Sequence, residues 1–142
     1  MKVLVLNGPN INLLGIREVE LYGDKSYKDL CKQIKAKAKE LKIKVCIYQS
    51  NIEGKIVTKI QQSIGKYEYI ILNAGGYTHT SVAIHDAIKA SNIKVIEVHL
   101  TDPDAREPYR QVNLIKDVAI TTIKGKGFNS YIEALEFISK SN

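Results

Sequence analysis

The stretch "VLVLNGPNINLLG", residues 3–15, passes from four apolar residues directly into a loop with three asparagines, two glycines and a proline. Consecutive aliphatic residues bounded by loop-forming residues are typical of a buried strand. Asparagine side chains offer hydrogen-bond donors and acceptors in fixed directions, and glycine and proline control the local backbone shape. The stretch therefore predicts a core strand that ends in a loop built to hold a ligand.

Short apolar runs rich in β-branched residues alternate with helical periodicity along the rest of the chain. Most runs are apolar throughout, as expected for a parallel sheet covered by helices on both faces. We predict an α/β fold: a doubly wound, flavodoxin-like, five-stranded parallel sheet in three layers, with strand order 2-1-3-4-5 and one domain over residues 1–142. The predicted strands are 2–6, 44–48, 68–72, 94–98 and 118–122, and the predicted helices are 26–41, 54–64, 80–90, 108–114 and 130–140.

Composition and charge favour an ordinary soluble protein, with 44% hydrophobic and 25% charged residues. Cys31 and Cys46 match no metal-binding or redox spacing, which favours reduced thiols in a cytoplasmic protein. We expect neither a signal peptide nor a membrane partner, because no apolar run is long enough. Much of the net charge of +6 lies in residues 28–44, where lysines recur opposite an apolar stripe. This pattern indicates a solvated helix face, so we expect no nucleic-acid partner.

The chemically distinctive residues fall in the loops that follow the predicted strands. In a sheet of this type these loops all lie at the carboxyl edge, where ligands bind. The sequence therefore predicts a functional site there, with Lys124 and Lys126 expected to be solvated. The loops are "NGPNINLLG" (7–15), "QSNIEG" (49–54), "NAGGYTHTS" (73–81), "HLTDPDARE" (99–107) and "IKGKG" (123–127).

Familiar cofactor motifs do not fit this edge. The first strand lacks a G-x-G-x-x-G turn and no tyrosine has a lysine four residues later, which argues against a nicotinamide enzyme. The P-loop pattern is missing as well. His79, His85 and His99 show no metal-ligand spacing with a fitting third partner. The residues therefore favour neither a nicotinamide enzyme, nor a P-loop nucleotide site, nor metal-dependent hydrolysis.

Two of the histidines are candidates for function. His79 and His99 each follow a strand at its carboxyl end, whereas His85 lies within a predicted helix and is interpreted as structural. Glu97 lies two residues before His99 and so shares its side of the strand, where it can hydrogen-bond the imidazole or a neighbouring amide.

The segment "GIREVELYG", residues 15–23, has a glycine at each end, which predicts a lid over the site. Tyr22 in this segment is a poor base at neutral pH unless a neighbouring cation favours its phenolate. Arg17 is such a cation, because a guanidinium is always charged. We interpret the two residues as a candidate base and its activator.

Four segments together resemble the type II 3-dehydroquinate dehydratases, the small flavodoxin-like dehydroquinases. They are "LNGPNINLLGIREVELYG" (6–23), "QSNIEG" (49–54), "NAGGYTHTSVAIHDAI" (73–88) and "EVHLTDPDAREPYR" (97–110), and the similarity is collinear from the first strand to the last helix. The resemblance implies a reversible anti elimination of water from 3-dehydroquinate, through an enolate, to give 3-dehydroshikimate without a cofactor. The step would serve the shikimate pathway and aromatic amino acid biosynthesis, or quinate breakdown.

The same resemblance implies catalytic roles. Tyr22 matches the base, with Arg17 favouring its phenolate, and His99 matches the acid that protonates the departing hydroxyl. Asn12, with an ordered water, would stabilise the enolate oxygen. Two further residues would position or orient the reacting groups: Asn10 and Glu97.

The resemblance also implies a substrate-binding set. The backbone amides at Leu100 and Thr101 would hold the substrate carboxylate, and Arg110 would engage a ring hydroxyl. Asp86 matches a residue that reaches the site of a neighbouring subunit, consistent with a homododecamer built as a tetramer of trimers. The remaining members of the set are Asn73 and His79.

The chain departs from the family pattern at two places. Val19 stands where proline is usual, which leaves the lid less constrained. Thr101 and Asp102 stand where serine and asparagine are usual in the family. The next five residues are "PDARE" (103–107) where the family usually has "IHxRE". Asp102 and Asp104 would repel an anionic substrate unless they turn outward. Two alternatives therefore stay open: a non-catalytic flavodoxin-like binding or regulatory protein, and a lyase acting on a related cyclic polyol acid.

Overall fold

A computed structural model describes residues 1–141, which form one parallel sheet with helices on both faces. The strands are β1 (Lys2–Asn7), β2 (Lys44–Gln49), β3 (Tyr69–Asn73), β4 (Lys94–Val98) and β5 (Thr121–Ile123). Their order across the sheet is β2-β1-β3-β4-β5, and every neighbouring pair is parallel. The predicted fold class and strand order are therefore confirmed.

Helices cover both faces of the sheet. They are α1 (Val19–Tyr22), α2 (Tyr27–Glu40), α3 (Glu53–Gln62), α4 (Val82–Ser91) and α5 (Asn129–Lys140). Helices α2 and α5 contribute to one core cluster, and α3 and α4 contribute to the other. Within the described residues, no helix combines the length and apolar character needed to cross a bilayer.

Strand β1 explains why the central runs are apolar throughout. Val3 and Val5 belong to the core beneath α2 and α5, whereas Leu4 and Leu6 belong to the core beneath α3 and α4. Side chains alternate between the two faces of a strand, and helices cover both faces here. Both sets of side chains are consequently buried.

Two predicted elements differ from the structure. The strand predicted at 118–122 begins three residues later, at Thr121, and ends at Ile123, because Thr122 pairs with Glu97 in the sheet while residues 118 and 119 pack against a core cluster. The helix predicted at 108–114 is only a 3-10 turn, Pro108–Gln111. The chain becomes extended at Val112, and the Leu114 amide donates to the Thr78 carbonyl at 2.8 Å instead of continuing a helix. The other boundaries lie within two residues of prediction.

The turn after β1 brings two strand ends into close contact. Asn7 pairs with Asn73 across β1 and β3, and the Gly8 amide donates to the Asn73 carbonyl at 2.8 Å. A Cβ atom on Gly8 would lie 2.5 Å from the Ala74 carbonyl oxygen, so any side chain there would displace the backbone. This glycine therefore allows the asparagine-rich loop to lie directly against the end of β3.

Candidate active site

A cavity of about 100 Å³ lies at the carboxyl ends of the strands, where the sequence predicts a site. The structure brings nine of the twelve predicted residues to its walls, while Asn12, Glu97 and Asp86 lie outside the lining. The nine are Asn10, Arg17, Tyr22, Asn73, His79, His99, Leu100, Thr101 and Arg110.

Tyr22 lies between two guanidinium groups. Its hydroxyl oxygen accepts a hydrogen bond from Arg17 at 3.2 Å and from Arg106 at 2.7 Å. The Arg17 guanidinium also lies over the tyrosine ring, 4.4 Å from its centroid. Two guanidinium groups from separate segments of the chain therefore hold one hydroxyl oxygen in place at the cavity wall.

Sequence reasoning missed Arg106. The residue lies within the quoted "DARE" segment, so its place in a motif was the one available signal. Its partner Tyr22 is 84 positions away along the chain, and no local periodicity connects the two. The side chain is only 10% exposed, which is unusual for an arginine and indicates a fixed position in the site.

Glu18 contacts both of the arginines that hold the tyrosine hydroxyl. Its carboxylate lies 3.2 Å from Arg17 and 3.7 Å from Arg106. Glu18 precedes α1 in a left-handed backbone conformation, with φ of 38°. The wall around Tyr22 is therefore a cluster of charged side chains from two segments, the residues just before α1 and the segment after β4.

His99 is fixed by a buried carboxylate. Glu97 accepts from His99 Nε2 at 2.6 Å, from Asn113 at 2.8 Å and from the Thr122 hydroxyl at 2.8 Å. Burial opposes ionisation of Glu97, but its three hydrogen-bond donors outweigh that effect and hold the pKa of this carboxyl below its usual range. Because Nε2 donates to the carboxylate, Nδ1 is the ring nitrogen left for chemistry in the cavity.

Two further polar side chains, His79 and Arg110, line the cavity. His79 Nδ1 lies 2.6 Å from the Val112 carbonyl oxygen, and a carbonyl only accepts, so Nδ1 carries the proton and Nε2 stays available. Arg110 pairs with Glu107, with Nε 2.5 Å from the carboxylate. Both side chains can therefore present directed polar groups to a ligand.

The asparagines of the first loop separate into two environments. Asn10 lines the cavity in a left-handed conformation, with φ of 69°, and its backbone amide donates to Asn51 at 3.1 Å. Asn12 instead turns toward β2, where its side-chain oxygen accepts from Gln49 at 3.2 Å. The structure thus brings Asn10, and not Asn12, to the cavity.

The two aspartates that depart from the family pattern do not line the cavity, and both lie beside Lys124. Asp104 forms an ion pair with Lys124, and Asp102 lies 3.3 Å from the same ammonium. The Lys124 ammonium holds the pKa of the Asp104 carboxyl below its usual range. The expectation that Lys124 and Lys126 are merely solvated is wrong, since Lys126 also pairs, with Glu133 at 2.8 Å.

Asp86 lies on α4, outside the cavity of its own chain. Its carboxylate contacts His85 Nδ1 at 2.9 Å, and His85 Nε2 lies 3.1 Å from Asp117. Hydrogen bonds to these two carboxylates raise the pKa of His85. The three side chains connect α4 to the 3-10 turn at Lys116–Val118, in agreement with a structural role for His85.

The described residues contain no group of three or more His, Cys, Asp or Glu side chains that could hold a metal ion. The polar groups of the cavity are instead arginines, histidines, a tyrosine and amides. Such a set can bind an anionic, hydroxylated ligand and can move protons.

The chain is similar to known proteins over almost its whole length. Residues 1–139 match the family model described as Dehydroquinase class II. A 3-dehydroquinate dehydratase of Fusobacterium nucleatum is 52% identical over 97% of this chain and 96% of its own. A 3-dehydroquinate dehydratase of Caldicellulosiruptor bescii is 53% identical over 94% of this chain and 93% of its own. A solved type II dehydroquinase from Butyrivibrio crossotus superposes with a TM-score of 0.95 at 42% identity, covering 97% of each chain.

Proposed function

The chain belongs to the class II dehydroquinase family, and from that premise we propose that it is a 3-dehydroquinate dehydratase. It converts 3-dehydroquinate into 3-dehydroshikimate and water, and the reaction is reversible. A carbon-hydrogen bond beside the ketone and a carbon-oxygen bond at the next carbon break, and a carbon-carbon double bond conjugated with the ketone forms. The step belongs to the shikimate pathway, and quinate breakdown would use it equally.

Tyr22 takes the proton from the carbon beside the ketone. The hydrogen bonds from Arg17 and Arg106 support this role, because they stabilise the phenolate that a tyrosine base requires. Proton removal leaves an enolate, whose oxygen needs a directed donor. We assign that donor to Asn10, in place of Asn12, because Asn10 lines the cavity.

His99 supplies the proton that leaves with the hydroxyl. Its position, with Nε2 on the Glu97 carboxylate, supports donation from Nδ1 of the imidazolium toward the cavity. Water then departs as the enolate collapses to the conjugated product. Over one turnover Tyr22 gains one proton and His99 loses one, so the net proton count of the enzyme is unchanged, and passage of a proton from Tyr22 to His99 through solvent restores the starting state.

Substrate binding divides between backbone and side chains. The amides of Leu100 and Thr101 hold the carboxylate, and the pairing of the nearby aspartates with Lys124 supports this, because the ammonium offsets negative charge near that wall. Arg110, Asn73 and His79 engage ring hydroxyls. The same pairing removes the observation that favoured a non-catalytic binding protein, so we propose no second function.

Assembly and location follow from the family in the same way. We assign Asp86 to the site of a neighbouring subunit, since its carboxylate is 68% exposed and lies outside its own cavity. The expected assembly is a homododecamer of four trimers in the cytoplasm, acting without a cofactor. Analytical ultracentrifugation would test it, and a monomer in solution would contradict the assignment of Asp86.

The pair of guanidiniums on the Tyr22 hydroxyl is the observation that carries the proposed chemistry. Purified protein mixed with 3-dehydroquinate should form the conjugated enone, which is followed by its ultraviolet absorbance. Tyr22→Phe keeps the ring and removes the base, so its kcat should fall by about 10²- to 10⁴-fold. No enone from folded wild-type protein would refute the function, and a fully active Tyr22→Phe variant would refute the base.

A further inference from the structure

A hydrogen-bond network of side chains leads from the cavity wall into the core. Asn73 donates to the Tyr131 hydroxyl at 2.9 Å, and that hydroxyl donates to the Asn7 side-chain oxygen at 2.7 Å. The Asn7 amide nitrogen in turn lies 3.3 Å from the Tyr27 hydroxyl. Asn7 and Tyr131 are fully buried, and Asn73 is 3% exposed. The proposed chemistry uses only Asn73, so the residues behind it need another explanation.

A backbone amide determines which groups donate and which accept in this hydrogen-bond network. The Gly75 amide lies 3.1 Å from the Asn73 side-chain oxygen, and a backbone amide can only donate. The oxygen of Asn73 must therefore face Gly75, which turns its nitrogen toward Tyr131. The Tyr131 hydroxyl accepts a hydrogen bond from that nitrogen and donates one to the Asn7 side-chain oxygen.

The hydroxyls of buried Tyr131 and half-buried Tyr27 both stay protonated at neutral pH. Burial raises the pKa of Tyr131 and of Tyr27 above the ordinary value for tyrosine, against the smaller opposing effect of their asparagine partners. Each phenol consequently remains a hydrogen-bond donor as well as an acceptor. The order of donors and acceptors along these hydrogen bonds is therefore fixed at neutral pH.

The Asn73 amide is held at both ends by these contacts. Gly75 occupies its oxygen, and Tyr131 occupies one hydrogen of its nitrogen. The second N–H is left for the cavity that Asn73 lines. A rotated amide would place a nitrogen against the Gly75 N–H and an oxygen that cannot donate against Tyr131, so the observed orientation is strongly preferred.

We propose that Tyr131 is a positioning residue for the elimination, whose hydroxyl holds the Asn73 amide with an N–H directed at a substrate hydroxyl. The inference rests on the proposed function, because Asn73 must bind substrate for its orientation to matter. It explains why a tyrosine, rather than an apolar residue, occupies a fully buried position on α5.

The test is Tyr131→Phe with Tyr69→Phe as the matched control. Tyr69 is also buried, at the opposite end of β3, and its ring contacts Lys94. Loss of the Tyr131 hydroxyl frees the Asn73 amide to rotate, so KM should rise by about threefold to tenfold while kcat changes by less than about threefold. Tyr69→Phe should leave KM within about twofold of wild type.

A double-mutant cycle separates positioning from general destabilisation. In an Asn73→Ala background, Tyr131→Phe should no longer change KM, because the group through which it acts is absent. An equal rise in KM in both backgrounds would overturn the proposal, as would an unchanged KM in the single variant. Where Tyr131→Phe does not fold, Asn7→Ala removes the acceptor of the Tyr131 proton and should give the same pattern.

Wild-type turnover in the same assay keeps the two proposals distinguishable. Absence of turnover in folded wild-type protein refutes the proposed function. Normal wild-type turnover, together with a KM that Tyr131→Phe does not change, refutes only the role of Tyr131.

Discussion

His99 and Tyr22 face the same cavity, but the protein holds them in different ways. His99 follows β4, its backbone amide donates to the Ile123 carbonyl at 3.0 Å, and its ring rests on a carboxylate that is 1% exposed. Tyr22 ends a four-residue helix with no buried residue, and side chains from two separate segments hold its hydroxyl.

The difference shows two routes to preorganisation. The acid side, meaning the surroundings of the proposed acid His99, takes its geometry from sheet register, since Thr122 and Glu97 are paired residues of β5 and β4. The base side, meaning the surroundings of the proposed base Tyr22, takes its geometry from two charged side chains, Arg17 next to the short helix α1 and Arg106 in the segment after β4. Substitutions on the acid side should therefore change stability as well as activity, and substitutions on the base side should change activity with little loss of stability.

Arg106→Gln should have the largest effect of the variants that leave both proton-transfer residues in place. It removes a charged donor from the Tyr22 hydroxyl, and loss of one such donor costs about 10²- to 10³-fold in kcat. Steady-state kinetics and a thermal melt would show low kcat with an almost unchanged melting temperature. Arg110→Gln is the matched control and should mainly raise KM; a kcat for Arg106→Gln within threefold of wild type would contradict the account.

Glu97→Gln should lower stability as well as activity. The amide offers one acceptor where three donors converge, and a buried donor without a partner costs about 1–3 kcal/mol in the free energy of unfolding. Glu40→Gln, at an exposed pair with Lys37, should cost under about 1 kcal/mol. Urea unfolding at pH 7 of both variants checks the comparison.

The stability of the wild-type protein should also depend on pH through Glu97. Its folded pKa is depressed, so the carboxylate contributes stability above the ordinary glutamate pKa of about 4.3, and that contribution is lost as pH falls through the lower folded pKa. The Glu97→Gln variant should lack this part of the acid dependence. Parallel acid dependence in the two proteins would show that Glu97 is not held as an anion.

Lys124→Ala should have the smallest effect. It leaves Asp102 and Asp104 without their cation near the wall assigned to the substrate carboxylate, so KM should rise by about twofold to fivefold. Added salt should reduce the difference, because exposed charges are screened. Lys126→Ala, whose partner Glu133 belongs to α5, is the control; equal KM changes in both variants would remove Lys124 from the account.

The sequence was sufficient for the fold because its strongest signals are local. The apolar run of β1 and the alternation with helices predict the topology, and residues at strand ends, such as His99 and Asn10, converge by sheet geometry. The missed contacts, Arg106 with Tyr22 and Lys124 with Asp104, join residues 84 and 20 positions apart. Such pairs depend on how irregular segments lie on the sheet, and neither periodicity nor capping chemistry describes those segments.

The short segments after β4 show the same limit. A 3-10 turn such as Pro108–Gln111 has too few residues to display a period, so its pattern was interpreted as a longer helix. The start of β5 was misplaced because residues 118 and 119 are apolar for packing rather than for strand pairing.

The division of work between Tyr22 and His99 is tested most directly by hydrogen exchange on the substrate. In deuterium oxide, His99→Asn should still exchange the hydrogen beside the ketone of 3-dehydroquinate while forming almost no enone, because its base and enolate stabilisation remain. Tyr22→Phe should lose both the exchange and the enone. The exchange is measured by NMR of the recovered substrate. Exchange that stops as completely in His99→Asn as in Tyr22→Phe would contradict the assignment of Tyr22 as the base and His99 as the acid.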